Sequence, residues 1–460
     1  MFFENIILNI SVICVLIVAL IFDYVTKYFS YWYIRHVPYK ISIPFFGSDY
    51  HRVLGIRNTS DEVSKLYTTY NEKYVGCIKS RIPDLIVKDA DSIKRILSTD
   101  FANFHCRGTG LDLSRDVCIR NNLFYSEGEK WTLLRRKLEL LLNNIDSEFQ
   151  DSLHDCLSGT NGDTKVQQLL SDILDAVFKN LLIDNNLDGT VIRSLREAMQ
   201  KRTLFDKLKS YLKDIFPSVY VLFGLSTVPE HFFGKFVQVL KESKLKKEIK
   251  KTELMFEDDA NNKNIKGESN YSTINSYLSL FIEQGYMPCL YVLTALLYEL
   301  ARNPEIQEKA RKCVGSSSEE DYLSNTIKEA LRMYPPYSVI TRKCVKMYQF
   351  PKKDLVIDKN LTVTIPIEAM HKDEANFKEA NLFNPSRFLD DDNISNTYLP
   401  FGAGPRKCIG EAVALRILRG VTSAILKKFY IEPCEGELKI TDYNFKRIID
   451  GDIWLRFKPI

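Results

Sequence analysis

Apolar residues recur at helical spacing over most of the chain from about Trp131 onward, which predicts a mainly α-helical protein. The longest apolar segment, 276–302, is apolar around most of its circumference and ends at Asn303-Pro304. Such a segment is typical of a helix that is buried in the core on nearly all sides. Further segments with helical spacing are 130–142, 165–182, 232–248 and 410–427.

Short alternating segments predict a small β portion beside these helices. The segments are 67–80, 85–87 and 361–367. The sequence contains no internal repeat and no low-complexity segment that would divide it further. We therefore expect residues 49–460 to form one large domain, mainly α with a small β portion.

The N-terminus carries an almost unbroken apolar run from Ile6 to Phe22, which is just long enough for a membrane-spanning helix. Positive charges follow the run at Lys27, Arg35 and Lys40, and they would keep its C-terminal side in the cytosol. A cleaved signal peptide is the alternative, but the run lacks a basic start and a small-residue cleavage site. We expect residues 1–26 to be a membrane anchor.

Residues 27–48 are expected to form a proline-containing hinge between the anchor and the domain. Pro38, Pro44 and Gly47 disfavour a regular helix and predict a stiff connector. The aromatic triplet Tyr31-Trp32-Tyr33 follows the anchor directly, and aromatic rings favour the interface between membrane and water. We therefore expect these rings to lie among lipid headgroups.

The overall composition narrows the classes of function. The formal net charge is +4 and the pI is about 8.3, which is too weakly basic to indicate a nucleic-acid partner. The chain contains 10 cysteines, none spaced as Cys-x-x-Cys, and their spread does not resemble a secreted disulfide framework. We expect all of them except Cys408 to be ordinary reduced thiols, mostly in or near the core.

The segment from Phe401 to Gly410 is the strongest chemical signal in the sequence. Gly402, Gly404 and Pro405 precede Cys408 and predict a tight loop that lets the backbone approach a flat ligand. A helix is predicted directly after the loop, and the positive end of a helix favours a thiolate at Cys408. The alternative is an ordinary buried cysteine in a glycine-rich turn.

This segment resembles the haem-binding loop of the cytochrome P450 superfamily, whose pattern Phe-x-x-Gly-x-Arg-x-Cys-x-Gly is matched at every specified position. The resemblance implies haem b as the cofactor and Cys408 as the axial thiolate ligand of its iron. It also implies that Phe401, Gly402, Arg406 and Gly410 contact the haem, with Arg406 facing a propionate. A thiolate ligand pushes electron density toward the iron and favours cleavage of the O–O bond.

Two further segments resemble parts of the same family that bind the haem propionates. Trp131 and Arg135 match the Trp-x-x-x-Arg pattern of a helix that touches a propionate. Arg342 matches a further propionate-binding arginine. Taken without the family context, Trp131 would be an ordinary core aromatic residue.

Two more segments resemble the charged network of the family. Glu329 and Arg332 match its Glu-x-x-Arg motif, and Arg387 lies in a segment that resembles Pro-Glu-Arg-Phe, with Ser386 replacing the acid. Alone, a pair at i and i+3 on a helix would be a solvated ion pair. With Arg387, the resemblance implies a buried network that positions the cysteine loop.

The resemblance covers about residues 30–460 and is closest to insect microsomal members that act in detoxification. It implies the cytochrome P450 fold, preceded by one transmembrane anchor helix, with the haem-binding catalytic domain on the cytosolic face of the endoplasmic reticulum. The implied activity is oxidation of a lipophilic small molecule by a monooxygenase. Electrons would come from an NADPH-dependent cytochrome reductase, with cytochrome b5 as a second donor.

An acidic reductase would dock on a basic face of the domain. The alternative is an ordinary solvated face without a partner. The basic residues concerned are Lys130, Arg136, Lys137, Lys407, Lys427 and Lys428.

The long apolar helix departs from the family pattern at the residues expected above the iron. Where the family usually has Ala-Gly-x-Asp/Glu-Thr, the chain has Gln284-Gly285-Tyr286-Met287-Pro288. Met287 and Pro288 cannot relay the protons that oxygen activation requires. Pro288 is also expected to kink the helix.

Three classes of function therefore stay open. The first is a monooxygenase whose protons come from water, from a substrate hydroxyl or from Glu283. The second is an isomerase or dehydratase that acts on a peroxide without a reductase, and the third is a haem protein that only binds ligands. Met287 and Pro288 favour the last two, whereas the hinge and the detoxification-like pattern favour the first.

An apolar stretch at 216–225 lies between Lys213 and Lys235. It predicts either core packing or a second contact with the membrane beside the substrate entrance.

Overall fold

The computed structural model of the 460-residue chain describes residues 6–43, 47–48, 50–79, 82–144, 153, 156–184, 187–201, 203–257, 270–315, 321–351, 354–389, 397–443 and 446–460. For residues 6–9, 23–29, 253–257 and 270–272 it describes the backbone alone. Pro44, one of the predicted hinge residues, lies outside the described residues. The chain divides into two compact units, Met1–Gly108 with Val339–Ala369 and Thr109–Ser338 with Met370–Ile460.

The first unit combines short helices with a four-stranded sheet. Its helices are Ile6–Phe29, Tyr31–Ile34, Tyr50–Val53, Thr59–Thr69 and Ala90–Lys94, followed by a π turn at Arg95–Thr99 and a 3₁₀ turn at Phe101–Asn103. The sheet contains, in spatial order, Tyr74–Lys79, Ile82–Val87, Thr362–Ile365 and Ile340–Lys343, and a separate pair is formed by Tyr348–Gln349 and Val356–Ile357. Helix Ile367–His371 carries the chain from this unit to the second.

The predicted strand at 67–80 is wrong over its first part. Asn58 caps a helix by accepting a hydrogen bond from the Asp61 backbone N–H at 2.8 Å, and this helix continues to Thr69. The strand begins only at Tyr74. A good N-cap stabilises the helix that follows it. The capped helix therefore forms in place of the strand that the alternating pattern predicted for this part of the chain.

The sequence predicted that Trp32 lies at a membrane interface. This prediction is wrong, because the side chain is buried on the sheet of the first unit. Its side chain is 1% exposed, and its indole N–H donates to the carbonyl of Cys77 at 2.7 Å. A Cβ atom at Gly76 would lie 2.4 Å from the Trp32 ring, so only glycine leaves room for it. Arg35 adds an ion pair with Asp358 at 2.7 Å. The hinge is therefore attached to the first unit.

The second unit is mainly helical, with a three-stranded sheet and a hairpin. Its α-helices are Val117–Arg120, Gly128–Asn144, Val166–Phe178, Thr190–Gln200, Leu204–Ile215, Pro217–Leu222, Val237–Glu242, Lys244–Glu257, Asn270–Phe281, Met287–Arg302, Pro304–Lys312, Tyr322–Met333 and Glu411–Lys428. Its 3₁₀ and π turns are Lys179–Ile183, Glu230–Phe236, Ile282–Tyr286, Pro385–Phe388 and Gly404–Arg406. Its strands are Gly162–Lys165, Phe429–Pro433 and Trp454–Pro459 in the sheet, with Ile440–Tyr443 and Lys446–Ile449 as the C-terminal hairpin.

The predicted single helix at 232–248 is interrupted. A 3₁₀ turn, Glu230–Phe236, is followed by helix Val237–Glu242, and a new helix begins at Lys244. At the break, the Ser243 hydroxyl donates to the Leu240 carbonyl at 2.8 Å and accepts from the Lys246 backbone N–H at 3.2 Å. The Ser243 hydroxyl thus bonds to one backbone group at the end of the first helix and one at the start of the second. These bonds stabilise the break between the two helices.

The core of the second unit is built around the predicted long helix, which runs from Asn270 to Arg302. Pro288 has no N–H to donate to the carbonyl of Gln284, and the helix widens over Ile282–Tyr286 into a π turn before continuing. Pro288 thus distorts the helix without ending it. Among the described residues, Thr273–Arg302 is the helix long and apolar enough to cross a membrane, but 72% of its 18-residue apolar window is buried, as expected for a core helix.

Glu329 is the centre of a buried charged network in the second unit. Its carboxylate accepts from Arg332 at 2.7 and 2.9 Å and from Arg387 at 3.0 Å, and both Glu329 and Arg332 are fully buried. The backbone N–H of Asn384 adds a bond of 2.8 Å. The structure thus brings the three predicted residues together, and the carboxylate has enough donors to remain charged in the core.

His371 connects this network to the segment that enters the cysteine loop. Arg332 donates to the His371 carbonyl at 2.6 Å, and the His371 Nδ1 lies 3.1 Å from the Arg332 carbonyl. On the other side of the ring, Nε2 accepts from the Leu399 backbone N–H at 2.9 Å. An imidazole that accepts at Nε2 and donates at Nδ1 is neutral. Burial lowers the pKa of His371 to about 3, in agreement with this neutral form.

Replacing Arg332 by alanine is expected to destabilise the protein severely. The change leaves the buried Glu329 carboxylate with Arg387 as its one remaining arginine partner, and breaking a buried ion pair typically costs about 3–5 kcal/mol. Arg332→Ala should therefore give little folded protein. Arg416→Ala, which removes an exposed arginine on helix Glu411–Lys428, is the matched control and should be close to neutral. Thermal unfolding monitored by circular dichroism compares them, and equal midpoints would contradict the structural role of the network.

The neutral state of His371 predicts a loss of stability in mild acid. Below its ordinary pKa of 6.5 the unfolded chain binds a proton that the folded chain does not bind until pH falls to about 3. The free energy of unfolding should therefore fall by up to about 1.4 kcal/mol per pH unit below 6.5. His371→Gln should lack this contribution when unfolding is measured between pH 7.5 and 5. The same pH dependence in both proteins would show that His371 is not held neutral.

Candidate functional site

The cysteine loop, Phe401–Gly410, is folded back on itself by its own backbone. The Cys408 N–H donates to the Phe401 carbonyl at 3.0 Å, and the Lys407 N–H donates to the Gly404 carbonyl at 2.9 Å. Gly402 and Gly404 have φ values of 72° and 68°, a left-handed conformation that favours glycine. The loop thereby presents the Cys408 side chain, which is exposed, on its outer surface.

The helix that follows the loop begins directly after the cysteine, as predicted. It runs over Glu411–Lys428, and the Ala414 N–H donates to the Gly410 carbonyl at 2.8 Å in its first turn. A Cβ atom at Gly410 would lie 4.0 Å from the Cys408 sulfur, which is an ordinary van der Waals contact. Cys408 therefore lies at the positive end of a helix with free approach to its sulfur.

Two cationic side chains and an indole are collected beside the loop. Arg406 is 5% exposed, donates to the Ser126 carbonyl at 2.9 Å and lies 4.5 Å from the centre of the Trp131 ring. Arg135 lies 5.9 Å from the same ring and donates to the Lys407 carbonyl at 2.9 Å. Of the predicted haem-binding residues, Trp131, Arg135 and Arg406 are thus neighbours of the cysteine loop.

Arg342, the further predicted haem-binding residue, belongs to the first unit. It lies on strand Ile340–Lys343, is 1% exposed and donates to the Thr341 carbonyl at 2.9 Å.

The donor set of the second unit fits an anionic, metal-containing flat ring. An accessible thiol is a ligand for a soft metal centre, and the two guanidinium groups of Arg135 and Arg406 suit carboxylates. The indole of Trp131 lies between these cations, and the glycines of the loop allow close backbone approach. The residues present therefore match the requirements of haem b.

Cys289, on the long helix, is buried. Burial raises the pKa of the Cys289 thiol to about 12, and the charge of Cys408 adds to the shift. Gly285 lies on the helix one turn earlier, where an added Cβ would meet the Phe178 ring at 3.5 Å.

Met287 and Pro288 face a cavity of about 270 Å³ in the second unit. The Met287 sulfur lies 3.7 Å from the Gln200 amide nitrogen, which is the weak contact expected of a thioether. The cavity is lined by apolar residues such as Leu290 and by charged ones, including Glu283 and Lys446.

Glu283, a residue considered as a source of protons, is held as an ion. It is buried, with the Lys446 and Lys213 ammonium nitrogens 3.4 and 3.8 Å from Oε1. Burial alone would raise the pKa of Glu283, but the two lysines more than offset it and hold the pKa below its usual range. A carboxyl group that is ionised at neutral pH accepts protons and does not supply them.

Lys213 precedes the apolar stretch for which the sequence left core packing and a membrane contact open, and its own side chain lies in the core. It is 1% exposed, and its ammonium group lies 4.9 Å from the centre of the Tyr125 ring. Within the predicted apolar stretch, Tyr220 is buried, whereas Leu222 and Phe223 are 81% and 71% exposed. The stretch therefore contributes to both core and surface.

Tyr337 and Gln284 form a contact that the sequence did not indicate. The Tyr337 hydroxyl donates to the Gln284 side-chain carbonyl, and the Tyr337 ring stacks on Phe124 with the ring centres 5.5 Å apart. The family pattern has alanine where this chain has Gln284. This difference was the signal in the sequence that Gln284 has a particular role. Its partner could not be found, because Tyr337 lies 53 residues further along the chain.

Comparison with known proteins identifies relatives of the whole chain. Cytochrome P450 6B2 of Helicoverpa armigera is 28% identical over 98% of this chain and 98% of the relative. Probable cytochrome P450 6d5 of Drosophila melanogaster is 26% identical over 92% and 94%, and cytochrome P450 6B1 of Papilio polyxenes is 25% identical over 95% and 97%. A family model described as Cytochrome P450 matches residues 38–449. The chain therefore belongs to the cytochrome P450 family of monooxygenases, whose cofactor is haem b.

Proposed function

We propose that the protein inserts one oxygen atom of O2 into a lipophilic small molecule, with electrons from an NADPH-dependent reductase. The observation that carries this proposal is the cysteine loop, in which Cys408 is accessible beside Arg406, Arg135 and Trp131. When bound, haem with a thiolate ligand supplies the activation of oxygen. The protein supplies the ligand, the counter-charges and the control of water and protons.

Each residue of the site has a separate task in this proposal. Cys408 would supply the thiolate ligand of the haem iron, and the helix end behind it favours the thiolate form. Arg135 and Arg406 would pair with propionates, and Trp131 would fix the orientation of these two guanidinium groups. Phe401, Gly402 and Gly410 would shape the surface that the ring meets, since glycine lets the backbone come close.

Protons for the reaction are proposed to arrive with water through the cavity beside Pro288. Met287 and Pro288 carry no transferable proton, and Glu283 is paired with two lysines. The cavity borders both Pro288 and charged groups that hold water well. Water without a positioned acid transfers protons less efficiently than a side chain would.

The proposed location is the cytosolic face of the endoplasmic reticulum membrane, with residues 1–26 as a single-pass anchor, 27–48 as a hinge and 49–460 as the haem-binding catalytic domain. The chain forms helix Ile6–Phe29 at its N-terminus, and apolar side chains from Ile10 to Phe22 are exposed. Apolar side chains that no protein surface covers are suited to lipid. The exposed side chains of Leu222 and Phe223 support a second membrane contact.

An acidic NADPH-cytochrome reductase is the proposed electron donor, with cytochrome b5 as a second one. Four of the predicted basic residues, Lys130, Arg136, Lys407 and Lys427, are exposed in the second unit. Exposed charges of one sign steer a partner of the opposite sign and raise the rate of association.

A second candidate is an isomerase or dehydratase that acts on an organic hydroperoxide without a reductase. The observation in its favour is the replacement of the acid–alcohol pair by Met287 and Pro288. A reaction that starts from a peroxide needs no delivery of protons to oxygen from the protein.

The distal residues allow the two functions to be distinguished by experiment. With reductase, NADPH and alkoxycoumarin probes, the wild type should turn over with poor coupling of NADPH to product. Met287→Glu combined with Pro288→Thr should raise product per NADPH by about tenfold or more, because a positioned proton donor is typically worth roughly 10²–10⁴-fold.

Pro288→Ala is the control for straightening of the helix and should leave coupling low. Efficient coupling in the wild type would contradict the loss of a proton relay. Rapid rearrangement of cumene hydroperoxide with no NADPH-dependent product would favour the isomerase.

A further inference from the structure

The buried cluster around Glu283 contains more hydrogen-bond donors than acceptors. The Tyr125 hydroxyl and the Asn122 amide lie 3.3 and 3.5 Å from its carboxylate, in addition to the two lysines. Lys446 also donates to the Glu283 carbonyl at 3.0 Å. The buried Lys213 ammonium group has no hydrogen-bond acceptor in the described part of the chain. A single carboxylate is thus shared by two cations and two neutral donors, all at long distances.

The other acid nearby, Asp116, does not relieve this excess of donors. Its Oδ2 accepts from Tyr220 at 2.8 Å and from the backbone and hydroxyl of Thr227 at 2.7 and 2.8 Å, while Oδ1 accepts from the Cys118 N–H at 2.9 Å. The charge of Asp116 acts on Lys213 from a distance, but its oxygens are committed to other donors. Buried ammonium N–H groups without acceptors are costly.

The cavity of about 270 Å³ reaches this cluster on the side of Glu283 and Lys446. Its wall also includes Met287, Tyr291 and Ile448, together with the charged residues Lys165, Arg196, Arg447 and Asp452. Charged and apolar side chains thus share the lining, and such a cavity fits a ligand that is itself amphipathic. With Glu283 and Lys446 included, four of the charged lining residues are cations and two are acids, so the lining favours a ligand group that accepts hydrogen bonds.

We propose that the cavity binds a lipophilic carboxylic acid and that the acid's carboxylate accepts a hydrogen bond from Lys446. Lys213, whose ammonium nitrogen lies 3.8 Å from the Glu283 carboxylate, offsets the negative charge that would otherwise repel the acid. A lipophilic amine would meet the Lys446 ammonium group instead and should be rejected. This acid is the substrate class only if the proposed oxygen insertion is correct, but its binding does not depend on that reaction.

Binding can be measured without turnover by equilibrium dialysis of the full-length haem-loaded protein in lipid nanodiscs. Radiolabelled decanoate, 1-decanol and decylamine have the same alkyl chain and differ in the polar group. Decanoate should bind about 10- to 100-fold more tightly than decanol, the usual range for a hydrogen bond to a charged group, and decylamine should bind most weakly. The variants share one lipid background, so partition into lipid cancels between them.

Lys446→Met should abolish the preference for decanoate, and Glu283→Gln should increase it, since the amide no longer competes for Lys446. Lys439→Met removes an exposed lysine just before the same hairpin and should leave the preference unchanged. If Lys446→Met does not fold, the double variant Glu283→Gln with Lys446→Met removes both charges together and should also lose the preference.

Equal affinities for acid and alcohol in the wild type would overturn the proposal, as would a preference for the amine. A preference that persists without Lys446 would overturn it too. Absence of NADPH-dependent turnover together with a normal decanoate preference would refute the oxygen insertion and leave the binding site standing.

Discussion

A charge in the interior of a protein needs partners, and the carboxylate of Glu329 is such a charge in the second unit. Arg332 and Arg387 both pair with this carboxylate, although they are 55 residues apart in the chain. Arg332 also holds His371, whose ring receives the backbone of Leu399, two residues before the cysteine loop. The position of Cys408 thus depends on an ion pair that never touches it.

The parts of the site that the sequence predicted are those in which neighbouring residues determine the geometry. Glycine at 402, 404 and 410 requires only local backbone freedom, and the helix after Cys408 follows from its own apolar spacing. Glu329 and Arg332 are one turn apart, so their pairing is also local. Such features can be recognised from a short segment.

The features that the sequence did not predict depend on residues distant in the chain. Lys213 was expected only to flank an apolar stretch, but its side chain is buried, and its partner Glu283 lies 70 residues later. Trp32 was expected in lipid, but Gly76 leaves room for its ring and Cys77 accepts its N–H. Distant partners of this kind override the ordinary preferences of lysine and tryptophan.

The long helix shows how one departure from the family pattern changes a neighbourhood. Proline at 288 removes a backbone donor, the helix widens over Ile282–Tyr286, and Glu283 in the widened turn pairs with two lysines. An acid is therefore present near the distal position, but it is one that the lysines keep ionised. The charges of Glu283 and its two lysines therefore suit the binding of a ligand's polar end better than the delivery of protons.

The assignment of Cys408 as the axial thiolate is the claim on which the other assignments depend. The most direct measurement is the absorption spectrum of the reduced protein with carbon monoxide, for the wild type and for Cys408→Ser, with Cys434→Ser as the matched control. A thiolate ligand should give the wild type and Cys434→Ser the strongly red-shifted band, which Cys408→Ser should lack. A thiolate-type band in Cys408→Ser would contradict the assignment.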